Sequence, residues 1–553
     1  MDKTVHYSED DKKVYYINRY LKLKQKIREL RILALTGITE AGSGHPGASF
    51  SAAEIMGSLY FQIMNVDLSN PSLSNRDYFV NSKAHSAPGY YATLCLAGSF
   101  PKEEMLTLRK LNSRLQGHPV RYSEHQKHHS VPGIEYSGGS EGIGLSVSIG
   151  LCLANRLDKY NNTVYCLLGD GETNEGQVWE ASMAAAKFRL DNLVAILDRN
   201  KIQQDGFTED IMPIDPIKEK WRSFNWDVVE INGHKIEQLI PELLNRPEDK
   251  PKIIIANTVK GNGIKHMANN PQWHGKAPSK KHLPLLIEEL EGDYMISPSI
   301  IAGPSGIGEK SLIQKIEMAE KYGADMIHLD VMDGKFVPNT TFSFDMIKKL
   351  RGITKLPFDA HLMIEDPNSS LDSFIDAGCD IITIHSEVCN SEKDFENMNS
   401  RLLSNGISPG LAINPSTNLP EWIYSHLDNL DVLIIMSVNP GFAGQKFIPE
   451  VLPKMKELIP RLREKGYKGY IEADGGIDQS TIVDCYEAGC RVFVMGNAIF
   501  GSEDVDKRIS EAKFKVDSYL EQTLLDRSQN LNIRDDWIKA RKTILDRYGI
   551  KGV

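Results

Sequence analysis

The feature that most constrains the fold is a regular series of short apolar segments in the second half of the chain. Each segment has the length of a buried strand, and helix-sized intervals separate them over about 220 residues. Eight such units match a (β/α)8 barrel in number and size, which predicts a TIM barrel over 295–514. The candidate strands lie at 296–301, 325–331, 358–363, 380–385, 408–413, 431–438, 469–474 and 491–496.

The first half of the chain, residues 1–276, alternates helical and strand patterns without even spacing. Short apolar runs at 164–168, 193–197 and 253–256 are typical of buried parallel strands, and 178–188 predicts a helix. Strands that alternate with helices favour an α/β domain built on a doubly wound sheet. Ligands of such sheets bind at the carboxyl ends of the strands.

Length and local composition divide the chain further. At 553 residues it is too long for one hydrophobic core. Residues 277–294 carry proline and a charged run, which predicts a linker between the two domains. Residues 515–553 are charged and predict a helical carboxyl-terminal extension, to which the sequence assigns no chemistry.

Charge and cysteine content limit the class of protein. A net charge of −10 offers no basic surface to a polyphosphate, so nucleic acid is not expected as a partner. The first 13 residues lack the apolar run of a signal peptide, and no segment reaches the roughly 18 apolar residues of a membrane span. Seven cysteines without CxxC spacing fit a reducing compartment. These features predict a cytoplasmic enzyme with no membrane partner.

A candidate cation site follows two of the apolar runs in the amino-terminal half. Asp170 comes directly after one predicted strand and Asn200 after the next, which places both at one sheet edge. Their side-chain oxygens and the backbone carbonyl of Ile202 are ligands that Mg²⁺ or Ca²⁺ takes beside a diphosphate. Gly169, Asp170, Gly171 and Asn200 are also typical of ordinary turns, so these residues alone leave both interpretations open.

Around these residues the chain resembles the amino-terminal subunit of two-chain transketolases. The resemblance covers about 15–276 and rests on several separate motifs that occur in the order of that family. The motifs are SGHPG at 43–47, SKAH at 82–85, LQGHP at 115–119, GDGETNEGQVWE at 169–180, the segment from LDNL at 190–193 to DG at 205–206, and WHGK at 273–276.

The resemblance implies thiamine diphosphate with Mg²⁺ or Ca²⁺ as cofactor. Glu175 matches a family position that contacts its counterpart across a subunit interface. Other residues match the cofactor-binding site, namely Gly169, Asp170, Gly171, Asn200 and Ile202, and the metal ligands among them are Asp170, Asn200 and the Ile202 carbonyl. Four further residues match histidines that line the substrate channel and assist proton transfer, namely His45, His85, His118 and His274.

The chain departs from the transketolase pattern in two ways. Glu141 and Ile143 replace an apolar and a polar residue in the loop beside the cofactor, which suggests altered specificity. Nothing after residue 276 resembles the pyrimidine-binding domain whose glutamate activates the cofactor in the family. The resemblance therefore implies a separately encoded partner chain, a transketolase carboxyl-terminal subunit. The assembly is expected to be a homo-oligomer as well.

A second candidate site lies on the predicted barrel. His328 and Asp330 are two residues apart on one strand and therefore point to the same side. His361 and Asp474 come from other strands, and all four lie near the carboxyl ends, where TIM barrels carry their active sites. Two imidazoles and two carboxylates suit Zn²⁺, Fe²⁺, Mn²⁺ or Co²⁺, although the same residues could be interior polar groups paired with one another.

The segment from about 295 to 512 resembles ribulose-phosphate 3-epimerase. The matching motifs are ISPSI at 296–300, HLDVMDGKFVPN at 328–339, DAHLM at 359–363, MSVNPGFAGQKF at 436–447 and DGGI at 474–477. The run from Asp330 to Asp333 lacks the lysine-containing array of decarboxylases on the same barrel, so a decarboxylase is a poor match. The loop 302–306 differs from the family and makes sugar selectivity less certain than reaction type.

The resemblance implies metal-assisted inversion at C3 of a 2-ketose phosphate. Asp330 and Asp474 take the catalytic roles, one carboxylate on each face of the sugar, and both also bind the metal together with His328 and His361. The metal would polarise the C2 carbonyl. The expected substrate-binding residues are Ser299, His328, Met332, His361, and the phosphate loops Gly441, Phe442, Ala443, Gly444, Gly475, Gly476, Gly496 and Asn497.

Three hypotheses for the whole chain follow. The first is a bifunctional enzyme that converts D-ribulose 5-phosphate to D-xylulose 5-phosphate and, with its partner, transfers a two-carbon ketol unit. The second keeps the epimerase but treats 1–276 as a non-catalytic docking module, since Glu141 and Ile143 could have ended cofactor use. The third directs both activities at a less common sugar phosphate in a specialised pathway.

Overall fold

The computed structural model describes residues 19–126, 128–502 and 504–531, and these residues form two compact units. The first unit contains Lys26–Glu291 and the described residues from Leu525 onward. The second contains Gly292–Leu524 and the described residues up to Gln25. In this part of the chain, no helix combines the length and apolar character that crossing a membrane requires.

The elements up to Glu291 alternate between helices and strands. The helices are α1 (Tyr20–Ala41), α2 (Pro46–Ser51), α3 (Ala53–Ser58), α4 (Ala87–Leu96), α5 (Ile143–Leu157), α6 (Gly176–Lys187), α7 (Thr208–Ile211), α8 (Ile217–Ser223), α9 (Ile236–Leu244) and α10 (Leu283–Glu291). The strands are β1 (Tyr78–Asn81), β2 (Val164–Gly169), β3 (Leu193–Arg199), β4 (Asp227–Asn232) and β5 (Lys252–Asn257).

The five strands of the first unit form one parallel sheet in the order β1-β2-β3-β5-β4. Alternate residues of β2 face opposite sides, as a strand requires. Val164 and Cys166 lie in the core cluster with residues of α5 and α6, whereas Tyr165 hydrogen-bonds the Leu243 carbonyl on α9. Helices therefore cover both faces, and the predicted doubly wound α/β fold is confirmed.

The second unit contains the other strands and helices. The strands are β6 (Met295–Pro298), β7 (Ile327–Met332), β8 (Phe358–Met363), β9 (Ile381–His385), β10 (Ser408–Ile413), β11 (Val432–Met436), β12 (Tyr470–Asp474) and β13 (Val492–Met495). The helices are α11 (Glu309–Lys321), α12 (Phe344–Arg351), α13 (Pro367–Asp376), α14 (Glu392–Ser404), α15 (Val451–Glu464), α16 (Ile482–Ala488), α17 (Asn497–Phe500) and α18 (Val505–Asn530).

These eight strands are parallel neighbours in the order β6-β13-β12-β11-β10-β9-β8-β7. The first and last strands of this order meet through a bridge between Ser299 and His328, which closes the sheet. The predicted (β/α)8 barrel is confirmed, and all eight candidate strands coincide with observed strands. Their carboxyl ends carry the candidate residues of the second site.

The predicted domain boundaries differ from the elements at two points. Half of the predicted linker 277–294 forms α10, which lies in the first unit and has buried leucines such as Leu286. Helix α18 runs through the predicted boundary at 514, and its described part ends at Asn530. Most of the predicted extension 515–553 lies outside the described residues.

The amino-terminal end of the barrel is closed by a residue from the start of α1. Leu21 is buried in one apolar cluster with residues at the amino ends of six strands: Met295, Met326, Ile381, Val432, Tyr470 and Val492. Polar contacts hold the segment in place, since Arg19 pairs with Asp431 at 3.0 Å and the Leu21 amide donates to Ser408 Oγ at 3.2 Å. A segment remote in sequence thus completes the core of the second unit.

Replacing Leu21 by alanine is expected to lower the free energy of unfolding of the barrel unit by about 2–4 kcal/mol, because the change leaves a cavity among well-packed apolar residues. Hydrogen exchange of the amides in the barrel strands along a urea titration would measure the shift. Leu111→Ala is the matched control, because Leu111 is 93% exposed and its truncation should change stability by less than about 0.5 kcal/mol. Equal effects of the two changes would contradict the role of Leu21.

Candidate functional sites

The barrel brings its four predicted metal-binding side chains together. Asp330 Oδ1 lies 3.5 Å from His328 Nε2 and 3.6 Å from His361 Nδ1. Asp474 Oδ2 lies 3.7 Å from His328 Nε2 and 3.2 Å from His361 Nδ1. The four potential ligand atoms all lie within 4.8 Å of one another, and all four residues are buried.

Strand geometry accounts for this arrangement. His328 and Asp330 are separated by one residue on β7, so both point into the barrel. Asp330 is the register partner of His361 on β8, and Asp474 is the last residue of β12. The four side chains therefore converge from three strands. Asp330, His361 and Asp474 lie nearer the carboxyl ends of their strands than His328, which is the second residue of β7.

The donor set fits a metal ion better than mutual pairing. His328 Nε2 and His361 Nδ1 are buried and have no hydrogen-bond partner among the described residues, although each faces two carboxylate oxygens. Buried polar atoms normally find a partner, and mutual pairing would leave both nitrogens without one. A divalent cation among the four atoms would satisfy them all, and two nitrogens with two oxygens suit Zn²⁺, Fe²⁺, Mn²⁺ or Co²⁺.

Two further carboxylates contact the metal-binding set and were missed by the sequence analysis. His328 Nδ1 lies 2.8 Å from Asp359 Oδ2 and 3.4 Å from Glu472 Oε1. Both acids are buried, and each precedes a predicted ligand by two residues on its strand, namely His361 and Asp474. The strand period of two was the signal that could have found them.

A cavity of about 470 Å³ opens above the four side chains. Its volume falls within the usual range of small-molecule sites. His328 and His361, also predicted to bind substrate, have no exposed surface beneath it. The cavity is lined by the other predicted residues, namely Ser299, Asp330, Met332, Gly441, Phe442, Ala443, Gly444, Asp474, Gly475, Gly476, Gly496 and Asn497.

The glycine loops of this cavity include a position, Gly476, at which a residue with a side chain would not fit. Gly476 has φ +66°, and a Cβ there would lie 2.3 Å from the Phe447 amide nitrogen. Residues with side chains rarely adopt such a conformation. The close approach leaves backbone amides rather than side chains at this wall, which suits a phosphate.

The predicted cofactor residues of the first unit also meet at one sheet edge. Gly169 on β2 is the register partner of Asp198 on β3, so Asp170 and Asn200 follow adjacent strands. The Asp170 carboxylate accepts hydrogen bonds from the amides of Gly171 at 2.9 Å and Lys201 at 2.5 Å. These contacts place Asp170 against the segment that carries Asn200 and Ile202.

The charge at this edge suits a cation. Asp170 and Asn200 are almost fully buried, and burial together with nearby Asp198 raises the pKa of Asp170 to about 6. The carboxylate is therefore costly as an isolated anion, and a divalent ion with a diphosphate would stabilise it. The Ile202 carbonyl accepts a hydrogen bond from Lys260 Nζ at 2.8 Å, and burial and Lys83 lower the pKa of Lys260 to about 7. Sequence analysis had not identified Lys260.

Three of the four predicted histidines form a cluster. The ring centroids of His45, His85 and His274 lie 5.2 to 5.4 Å apart. Burial lowers the pKa of His45 to about 4 and that of His274 to about 2, so both are neutral near pH 7. His118 is exposed, and its charge contributes to the lowered pKa of His45. Neutral imidazoles can exchange protons with a hydroxyl group.

Two acidic residues singled out in the sequence of the first unit are Glu141 and Glu175. The Glu141 carboxylate lies 3.1 Å from His85 Nδ1, and its side chain remains 41% exposed. Glu175, predicted to contact a counterpart across a subunit interface, is exposed. Glu141 therefore brings a negative charge to the histidines at a partly open position.

Two family models match the chain, one for each unit. The model of the transketolase thiamine diphosphate binding domain matches residues 23–291, and that of the ribulose-phosphate 3 epimerase family matches residues 295–500. The two matches reproduce the order of the two predicted domains.

Individual relatives match one half of the chain each. An apulose-4-phosphate transketolase subunit of Actinobacillus succinogenes is 40% identical and covers 50% of this chain and 98% of the relative. The 6-deoxy-6-sulfo-D-fructose transketolase subunit SqwG of a Clostridium species is 38% identical, covering 49% of this chain and 96% of its own length. The ribulose-phosphate 3-epimerase of Bacillus subtilis is 41% identical over 39% of this chain and 97% of the relative. The chain therefore belongs to two enzyme families, as a fusion of a transketolase thiamine diphosphate binding domain with a ribulose-phosphate 3-epimerase.

Proposed function

We propose that the chain is a bifunctional sugar-phosphate enzyme. Its barrel interconverts D-ribulose 5-phosphate and D-xylulose 5-phosphate, and its first unit transfers a two-carbon ketol unit once a partner chain completes the site. The observation that carries the proposal is the set of four buried ligand-type side chains beneath a cavity of about 470 Å³. We place the enzyme in the cytoplasm, since the reduced state of all seven cysteines fits that compartment.

In the barrel, Asp330 and Asp474 act as the acid and base of a C3 inversion. One carboxylate removes the C3 proton from one face of the sugar, and the other delivers a proton to the opposite face. Ser299 Oγ donates to Asp330 Oδ2 at 2.5 Å, which fixes the direction of that carboxylate. A divalent metal held by His328, Asp330, His361 and Asp474 would supply Lewis-acid stabilisation of the oxyanion.

The cavity has the parts needed to hold a phosphorylated ketose. Backbone amides of the glycine loops at 441–444, 475–476 and 496–497 would bind the phosphate, since these loops follow the sixth to eighth strands of the barrel. Met332, Met363 and Met436 line the same cavity and give it an apolar floor. An apolar surface strengthens the electrostatic interactions beside it.

In the first unit, Asp170, Asn200 and the Ile202 carbonyl would hold Mg²⁺ or Ca²⁺ with thiamine diphosphate. Thiamine diphosphate supplies the carbanion stabilisation that ketol transfer needs. His45, His85, His118 and His274 would exchange protons with the sugar hydroxyl groups. The naming of two relatives as subunits supports a separately encoded partner, and we propose a homo-oligomeric assembly as well.

A second candidate function keeps both reactions but changes the sugar. The two transketolase relatives are named for apulose 4-phosphate and 6-deoxy-6-sulfo-D-fructose, which are not pentose 5-phosphates. Comparing kcat/KM across several ketose phosphates for both reactions would separate the two candidates. A preference of the barrel for a branched or sulfonated ketose would favour the specialised pathway.

Deuterium exchange tests the epimerase directly. The purified chain is incubated with D-ribulose 5-phosphate in deuterated water, and the C3 position is followed by NMR. Exchange at C3 together with the appearance of D-xylulose 5-phosphate is the expected result. Product without exchange, or no product with any of the four metals, would contradict the proposed chemistry.

Glu141 is expected to set the substrate preference of ketol transfer. Its partly exposed carboxylate lies beside His85, so it presents a negative charge to the site. Glu141→Leu should change the ratio of kcat/KM between two donors of different charge by about tenfold, the size of one partly solvated charge interaction. Glu141→Gln, which keeps the shape, should give a similar change. Unchanged donor and acceptor preferences in the Leu variant would exclude this role.

A further inference from the structure

A row of polar side chains extends from His361 away from the predicted metal position. His361 Nε2 lies 2.8 Å from His385 Nε2, and His385 Nδ1 lies 3.1 Å from Glu387 Oε2. Glu387 is fixed in turn, since it accepts hydrogen bonds from the Asn414 amide at 2.9 Å and from Ser386 Oγ at 3.2 Å.

The Glu387 carboxylate, at the far end of this row, determines which atom donates in each hydrogen bond. Glu387, as a carboxylate with three donors around it, can only accept, so His385 Nδ1 carries a hydrogen. In a neutral imidazole one ring nitrogen donates and the other accepts, so a hydrogen on Nδ1 leaves His385 Nε2 as the acceptor. The hydrogen between the two rings therefore belongs to His361 Nε2.

In a neutral His361, this order of donors leaves the lone pair on Nδ1, the tautomer that can bind a metal ion there. Among the described residues that nitrogen has no hydrogen-bond partner, and it faces Asp330 Oδ1 at 3.6 Å and Asp474 Oδ2 at 3.2 Å. A lone pair directed at two carboxylates is repelled unless a cation lies among them. We propose that His385 and Glu387 are positioning residues, which hold His361 in the tautomer whose Nδ1 binds the barrel metal.

The second predicted histidine ligand, His328, is held in its metal-binding tautomer by a direct hydrogen bond to a carboxylate. His328 Nδ1 donates directly to Asp359 Oδ2 at 2.8 Å, which leaves its Nε2 for the metal. One ligand thus uses a direct carboxylate, and the other uses a carboxylate acting through a second imidazole. Partners of this kind fix the tautomer and orientation of a ligating histidine. The inference rests on the proposed metal-dependent epimerase. It adds which residues hold His361 in the tautomer that binds the metal.

Binding of Co²⁺ alone, followed by its visible absorption in the absence of substrate and thiamine diphosphate, tests the inference. His385→Phe keeps a planar ring but removes the acceptor, and we expect it to weaken Co²⁺ binding by about 10- to 100-fold. His385→Gln offers an amide oxygen at similar reach and should remain within about threefold of the wild type. Ile384→Val, a conservative change at a buried neighbour on β9, is the control and should not alter binding.

Glu387 provides an independent check, because it acts on His361 only through His385. Glu387→Ala should weaken Co²⁺ binding in the same direction, and adding it to His385→Phe should cause no further loss. Loss of the absorption in His361→Ala assigns the signal to the barrel. The positioning role of His385 would be excluded if His385→Phe left the Co²⁺ affinity unchanged, or if the Gln and Phe variants lowered it equally. Either result would leave the proposed metal site standing. A wild-type barrel that binds no metal would overturn the proposed metal chemistry as well.

Discussion

Asp474→Asn is expected to lower kcat for epimerisation by about 10³-fold, which is within the usual contribution of a general acid or base. The amide keeps an oxygen at the end of β12 but cannot take up or release the proton at C3. Asp474 lies beside His361 Nδ1 at 3.2 Å and lines the cavity, so its carboxylate is placed for both roles assigned to it. Steady-state rates in both directions, with saturating metal, would measure the loss.

The companion variant Asp330→Asn separates acid–base chemistry from metal binding. In the proposed mechanism each carboxylate serves one face of the sugar, so either change should slow inversion more than it weakens Co²⁺ binding. Asp484→Asn, an exposed carboxylate on α16, is the control and should behave as the wild type. Full inversion by either variant at Asp330 or Asp474 would exclude the assignment of opposed carboxylates.

The barrel and its four central side chains were predictable from sequence because both depend on short-range periodicity. Buried parallel strands are continuous apolar runs, and all eight candidates coincide with observed strands. Two ligand-type residues at i and i+2, as in His328 and Asp330, must share one side of a strand. The resemblance to the epimerase family then placed His361 and Asp474 beside them.

Residues that act through another residue were not predictable in the same way. The strand period places Asp359 and Glu472 on the same side as His361 and Asp474, but their contact with His328 Nδ1 depends on how the strands meet in the barrel. His385 lies on β9 and its contact with His361 depends on the packing of adjacent strands, which a sequence pattern does not specify. Closure of the barrel by Leu21 depends on contacts across more than 270 positions of the chain.

Edge strands and boundaries were the other elements that sequence analysis missed. β1 and β4 lie at the two edges of the first sheet, and half-buried strands such as β4 lack the continuous apolar run of β2 and β3. Proline and charge in the run 277–294 predict a linker, yet α10 buries one face within it. β1 and β4 form by pairing with neighbouring strands, and α10 buries its leucines, so in each case the structure depends on contacts that the local pattern does not specify.

The purified chain alone is expected to show no ketol transfer with D-xylulose 5-phosphate, an aldose phosphate, thiamine diphosphate and Mg²⁺. In the proposed site, Asp170, Asn200 and Ile202 would serve only the diphosphate side of the cofactor. The match to the thiamine diphosphate binding domain ends at 291, and the match to the epimerase family begins at 295. Adding a chain that carries the pyrimidine-binding domain should raise the rate by about 10³-fold or more, since it supplies the acid–base residue that activates the cofactor.

Variants of this chain distinguish an enzyme from a docking module in the same mixture. Asp170→Asn should still bind the partner but show no activation, because the change weakens the hold on metal and diphosphate. Asp330→Asn removes only barrel chemistry, so its ketol transfer should respond to the partner as the wild type does. Partner binding in the ultracentrifuge without any thiamine diphosphate-dependent activity would favour the docking module. Ketol transfer by the isolated chain would show that no second chain is needed. The transfer assay therefore distinguishes an enzyme completed by a partner, a docking module and a chain that acts alone.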